Sequence, residues 1–304
     1  MVSYYTYCAQ SRYSMVSRKP ILTFDTSAIN RLSNETDFNA LAAGITTAYS
    51  TRLTASNISE LVATTASEKR DQLLNTCQRL LASGEGVDPF NWIIEKHTKA
   101  FDQNPTQYNW TNVNIRYPEL EREIIRRTFI DDELARQERE SARKTQGSFE
   151  DVFGSMRPGF DGVFSRGTER PARFADFVRI LQEPRGAFWT GYGAKFYAKT
   201  VQNEPGEAKV RSFAAHCPPF LMMILAAVMA QYKRAIVETP KRTGRAGRVD
   251  LLMAVYLPYC RVFVTNDGNQ EECLRDMAAV ANLEVDLFSY GDFRSRLLAP
   301  SIGR

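Results

Sequence analysis

The chain of 304 residues is poor in histidine, with only His97 and His216. Histidine-based metal cages need several imidazoles, so that class of site is excluded. Its five cysteines, Cys8, Cys77, Cys217, Cys260 and Cys273, are odd in number, and no two stand in Cys-x-x-Cys spacing. Neither a disulfide framework nor a structural zinc site follows from that arrangement. The adjacent His216 and Cys217 have two readings, a metal-ligating pair or a pair buried beside Pro218 and Pro219. No apolar run reaches the ~18 residues of a membrane span. The longest, Phe220 to Ala230, leads directly into Gln231, Lys233 and Arg234. The first residues are polar and tyrosine-rich and lack the apolar stretch of a secretory signal. A cytoplasmic protein with no membrane partner is therefore expected. Nucleotide and hydrolase signatures are missing too. There is no Gly-x-x-x-x-Gly-Lys-[Ser/Thr] loop and no Gly-x-Ser-x-Gly elbow, and Gly191-Tyr192-Gly193 lacks the rest of a dinucleotide fingerprint.

What is present is enough apolar material for a packed core, 43% hydrophobic and 11% aromatic, which excludes a wholly disordered chain. The net charge is only +4, but its distribution is uneven. From Lys233 to Arg248 six basic residues face one acid, Glu238, and the first 24 residues carry Arg12, Arg18 and Lys19 with no acid. Arginine-rich, glycine-containing segments suit phosphate contacts. Lys241, Arg242, Arg245 and Arg248 are thus candidate nucleic-acid contacts, the plain alternative being a solvated loop. Phe188, Trp189, Tyr192, Phe196 and Tyr197, interleaved with Arg185, Lys195 and Lys199, read either as a base-stacking platform or as a packed aromatic cluster.

Patterning divides the chain. Ile21–Phe24 is a short apolar strand, followed by the helix-capping residues Asp25, Thr26 and Ser27. Helix is expected over 39–49, strand over 52–55, and helix again from Ser56 or Asn57 through Glu60. Near the other end, Val249–Tyr259 reads as an all-round apolar helix and Arg261–Thr265 as the clearest strand. A turn at 266–269, a helix over 271–281 and a strand over 283–288 follow. Strands alternating with helices at this spacing predict an α/β fold with a mostly parallel sheet between two helical layers. The middle reads as mainly helical, over 67–81, 91–100, a long charged helix from 118 to 144, 171–181 and 219–237, with an irregular loop at 146–170. The all-apolar 219–230 stretch fits a helix buried on every side, or else a membrane or partner anchor. The expected organisation is an N-terminal extension (1–19), an α/β domain in two halves (20–66 and 246–304), and a large, mainly helical insertion between them (67–245).

Four acids stand out by position: Asp25 after the first strand, Glu60 in the helix after the second, Asp250 before the clearest strand, and Asp267 just past it. Ligand sites of parallel sheets lie outside the carboxyl ends of the strands, where Asp25 and Asp267 fall. Clustered carboxylates need a cation, and with hard oxygen donors that cation is Mg²⁺ or Mn²⁺. Such an ion activates water for attack on a phosphodiester. Each acid also has a plain role: Asp25 and Asp250 as helix caps, Asp267 as a turn residue, Glu60 on a solvated face.

Taken in order, these elements resemble a known family. Ile21-Leu22-Thr23-Phe24-Asp25-Thr26-Ser27 looks like the opening of PIN-domain nucleases. Asn57-Ile58-Ser59-Glu60-Leu61 resembles their second acidic motif, and Asp250 with Thr265-Asn266-Asp267 resembles their third and fourth. The resemblance covers about residues 20–66 and 246–290. It implies a PIN-like three-layer α/β/α fold and a metal-dependent endoribonuclease whose four acids hold Mg²⁺ or Mn²⁺ and leave 5′-phosphate and 3′-hydroxyl ends. It also implies supporting roles for Thr26, Ser27, Asn30 and Thr265, with Glu271 as an auxiliary acid. The expected partner is RNA, a second copy of the chain or an inhibitory protein being left open. The alternative is a PIN-like RNA- or protein-binding module without significant nuclease activity. The 190 positions between Glu60 and Asp250 set the chain apart from compact members of the family.

Overall fold

The computed structural model describes residues 19–126, 132–141, 143, 144, 171, 173–183, 188–201, 205–233 and 250–299. Within them, β1 (Ile21–Phe24), β2 (Ser50–Thr54), β3 (Glu85–Val87), β4 (Val262–Thr265) and β5 (Asp286–Ser289) form one sheet in the order β3-β2-β1-β4-β5. Every pairing is parallel. The apolar run of β4 is buried along its whole length, as befits a strand covered on both faces.

Side chains alternate between the two faces. Leu22, Phe24, Leu53, Val262 and Val264 join one core cluster, whereas Val87, Phe263 and Leu287 join another. The first face is covered by α1 (Thr26–Ser33), α2 (Phe38–Ala48), α3 (Ala55–Val62), α4 (Ser67–Leu81) and α12 (Tyr290–Leu298). The second face is covered by a 3₁₀ helix, Asp250–Tyr259, and by α11 (Gly268–Val280). Around these pack α5 (Phe90–Gln103), α7 (Phe174–Gln182), α8 (Ala194–Val201), α9 (Glu207–His216) and α10 (Pro218–Tyr232). A further helix, α6 (Pro118–Arg126), lies against β3 and α4.

Several expectations change here. The segment 67–245 contributes β3 and α4 to the sheet and its first face, and α10 to the second. The sequence boundary at 66/67 therefore falls inside one packed layer. Val249–Tyr259 is a 3₁₀ helix from Asp250, not an α-helix. The last strand starts at Asp286 rather than 283, because Asn282 adopts a left-handed conformation (φ 53°) and Leu283 N–H donates to Ala278 O at 3.0 Å. That closes α11 with a Schellman cap, so Leu283 belongs to the end of the helix. The long charged helix is helical over Pro118–Arg126 and again over 132–141, and 127–131 lie outside the described residues. So do 1–18, the 146–170 loop, and 234–249 with Lys241, Arg242, Arg245 and Arg248.

The aromatic stretch is a packed cluster. Phe188, Tyr192, Phe196 and Tyr197 are buried in the second core, and Trp189 is half-buried with the Arg211 guanidinium 5.3 Å from its ring. Rings used in this way are not free to stack on bases. The helix α10 is buried around its whole circumference, so its apolar composition reflects packing. Among the described residues no single helix is long and apolar enough to cross a membrane. His216 and Cys217 part company: His216 is exposed, its Nδ1 2.7 Å from Ser212 O, while the Cys217 thiol is buried and its pKa pushed up to about 12. They do not form a ligand pair.

Candidate carboxylate site

The strand order creates the site. The chain moves outward from β1 to β2 and β3, then crosses back to β4 on the other side of β1. The reversal lies between β1 and β4, the place where parallel α/β sheets bind ligands at the carboxyl ends of their strands. Asp25 directly follows β1, and its N–H continues the ladder to Val264 O at 3.0 Å. Its extended backbone makes it the N-cap of α1, and its Oδ1 accepts from Ala28 N at 2.7 Å. Ser27 Oγ lies 2.8 Å from Oδ2 and 3.0 Å from Oδ1, and Thr265 Oγ1 lies 2.8 Å from Oδ2. Ser27 Oγ also accepts from Asn266 N at 2.9 Å. The two strand ends are thereby tied together.

Asp267 caps α11, its Oδ1 accepting from Asn269 N at 2.9 Å and Gln270 N at 3.1 Å. Glu60 is carried by α3, whose start is fixed by Thr54 Oγ1 accepting from Asn57 N. Asn57 Nδ2 in turn donates to Phe24 O at 2.6 Å, locking α3 against the end of β1. The Glu60 carboxylate accepts a short hydrogen bond from Thr26 Oγ1. Capping and site roles therefore coincide at Asp25 and Asp267.

All four acids line one cavity of about 390 Å³, together with Thr26, Ser27 and Asn30. Asp25 is deepest, Asp250 is half-buried, and Glu60 and Asp267 stand at the mouth. Burial raises the pKa of Asp25, and repulsion from Asp267 adds to this. Burial likewise raises Asp250, reinforced by Asp25 and Asp267. Glu60 is raised by the protein around it, then by Asp250 and Asp25, with the Thr26 hydroxyl opposing. Nearby like charges favour the protonated forms, and either a proton or a cation relieves the repulsion.

Among the described residues, no group of three or more Asp, Glu, His or Cys side chains is placed to hold one ion directly. The four acids share a cavity without meeting at a point. Two of them, Asp25 and Asp267, are engaged as helix caps, and Glu60 is engaged by Thr26. Mg²⁺ keeps several waters and is commonly held by one or two carboxylates plus substrate phosphates. The donor set fits such a water-rich ion and does not fit a closed all-protein cage.

Glu271 does not line the cavity. It is ion-paired with Arg275 one turn along α11, as an i,i+4 pair on a helix surface. Conversely, the cavity is lined by Lys69, Phe90 and Gln270, which the sequence did not single out, and by Ser56 and Asn57, which it read only as a helix start and as part of the motif around Glu60. Gln270 is buried. Its Oε1 lies 2.7 Å from Thr265 Oγ1, and its Nε2 donates to Asp250 O at 3.0 Å. One amide thus connects the segments carrying Asp25, Asp250 and Asp267. No family model, curated protein or solved structure matches this chain.

Proposed function

We propose that the chain is a metal-dependent endoribonuclease with a PIN-like fold. In this reading it hydrolyses RNA phosphodiester bonds to 5′-phosphate and 3′-hydroxyl ends. The observation that carries it is the convergence of Asp25, Glu60, Asp250 and Asp267 from four separate segments on one cavity at the switch point of the sheet. Three of the four are held against mutual repulsion, an arrangement that stores negative charge where a cation is wanted. These acids would hold Mg²⁺ or Mn²⁺ with waters completing the coordination. Such an ion supplies a water of lowered pKa and neutralises charge on the reacting phosphate. The chain's own groups do the positioning: Ser27 and Thr265 orient Asp25, Thr26 orients Glu60, and Gln270 fixes the backbone of Asp250. Lys241, Arg242, Arg245 and Arg248 immediately precede Asp250 and would guide the phosphate backbone to it.

A second reading, a binding module without hydrolysis, is favoured by one observation, that no three acids meet at a point. One experiment separates the two. Full-length protein is incubated with a labelled single-stranded RNA in Mn²⁺, in Mg²⁺ and in EDTA. The nuclease reading expects cleavage in the metals, none in EDTA and none by Asp250→Asn. Binding with no cleavage in any buffer supports the module instead.

A further inference from the structure

We propose that Lys69 anchors a backbone phosphate of single-stranded RNA, flanking the bond held at the carboxylates. The inference rests on the nuclease reading and adds a subsite to it. Lys69 lies on α4 and is the one cation lining the cavity among the described residues. Its ammonium donates to Asn34 Oδ1 at 2.7 Å, Ser33 Oγ at 2.9 Å and Gln72 Oε1 at 3.1 Å, all of them neutral. Elsewhere Lys96, Lys99, Lys209 and Lys233 each contact a carboxylate. At Lys69 neutral dipoles take all three N–H donors and pair the charge with no carboxylate, so a phosphate is drawn by the charge and bonds the ammonium by displacing one acceptor, Gln72 Oε1 being the most distant at 3.1 Å. Partial burial lowers its pKa, so the charge is also incompletely hydrated and gains from an anion.

The position selects which phosphate. Ser33 ends α1 and Asn34 caps it, whereas Asp25 caps the other end. Eight helical residues span about 12 Å, so the ammonium stands about one helix length from the Asp25 carboxylate. A strand with its scissile phosphate at the acids meets Lys69 with a phosphate farther along its backbone than the adjacent one. A polyanion entering an acidic cavity needs such a fixed positive charge at its rim.

The test measures binding of a fluorescent oligouridylate in Ca²⁺ across a salt series. Lys69→Gln should weaken binding and reduce the slope of log K against log salt by about 0.7, one phosphate contact on a single strand. Lys69→Arg, which keeps the charge, should retain the slope. A Lys69→Gln slope equal to wild type overturns the proposal and makes Lys69 a brace between α1 and α4. Amine acylation of the wild-type protein, read by mass spectrometry, needs no variant. Oligouridylate should protect Lys69, and inorganic phosphate at equal phosphate concentration should not. No protection by RNA, or equal protection by phosphate, overturns the strand assignment. RNA cleavage with an unchanged Lys69→Gln slope removes this inference alone. Protection of Lys69 without cleavage removes the nuclease reading and with it the scissile-bond placement, leaving only the phosphate contact at Lys69.

Discussion

Asp25 and Asp88 hold the same place on neighbouring parts of the sheet and are treated in opposite ways. Each directly follows a strand, Asp25 after β1 and Asp88 after β3, and each is buried, at 5% and 2% exposure. Each has its backbone N–H bonded, to Val264 O and Ile115 O respectively. The Asp88 carboxylate is matched by Lys96 Nζ at 2.5 Å. The Asp25 carboxylate receives only neutral donors, Ser27, Ala28 N and Thr265, and its charged neighbours are the acids Asp267, Asp250 and Glu60. A buried charge must be solvated by something. An opposite charge cancels it, while hydroxyl and amide dipoles support it and leave it available. The difference separates an acid that serves the fold from an acid that can serve a cation.

The largest test of that contrast is catalytic. Asp25→Asn or Asp267→Asn should reduce RNA hydrolysis by at least about 10³-fold, some 4 kcal/mol of transition-state stabilisation. Asp88→Asn should leave the rate per folded molecule unchanged. Equal losses at both positions would erase the distinction. Next comes Gln270→Met, which cuts the link between Thr265 and the Asp250 backbone. Residues that support metal ligands typically change affinity 10–100-fold, so Mn²⁺ titration without RNA should show weaker binding in that range. An unchanged affinity would make Gln270 a packing residue only.

Third, Lys96→Met should destabilise the protein by about 1–2 kcal/mol at pH 7 in urea unfolding, less than a fully buried pair because Lys96 is half in solvent. The loss should shrink as pH falls and Asp88 becomes protonated. The smallest effect has the opposite sign. Asp250 has a raised pKa, so between its ordinary and raised values the native state binds more protons than the unfolded chain. Stability then falls as pH rises through that window. Asp250→Asn should therefore stabilise the metal-free protein by up to about 1 kcal/mol at pH 7. The gain should vanish near pH 4 and reverse when Mn²⁺ is added. Destabilisation at pH 7 without metal would mean that the carboxylate is a structural cap.

Much of the site is legible in the sequence because its determinants are local. An apolar strand ending in Asp-Thr-Ser, and another ending in Thr-Asn-Asp, announce both the strand end and the cap in adjacent residues. The convergence of those ends was readable from the parallel alternation. What was hidden depends on distant partners. β3 has only three residues, one of them Gly86, and becomes a strand by pairing with β2. Lys69 and Gln270 sit in ordinary helical patterns, and their places follow from contacts with Asn34 and with Asp250. Glu271 misled because helical periodicity does not say which acid an arginine one turn away will claim. The aromatic stretch kept two readings in the sequence because spacing alone does not distinguish rings facing a core from rings facing a ligand, and the structure bears out the packed cluster. The middle segment looked separate because its one short strand, β3, is not legible as such, although in space its helices pack on both faces of the sheet.

The neighbouring places of β1 and β4 have a consequence for synthesis. Asp25 and Asp267 are 242 positions apart (267 − 25), yet Thr265 must bond Asp25 to complete the cavity. A ribosome adding about 5–20 residues per second needs roughly 12–48 s to cover that interval. For most of that time the central strand lacks its neighbour on one side, and between residues 60 and 250 two of the four carboxylates do not yet exist. The nascent chain, emerging beside the message that encodes it, carries no complete site until nearly the last strand is made.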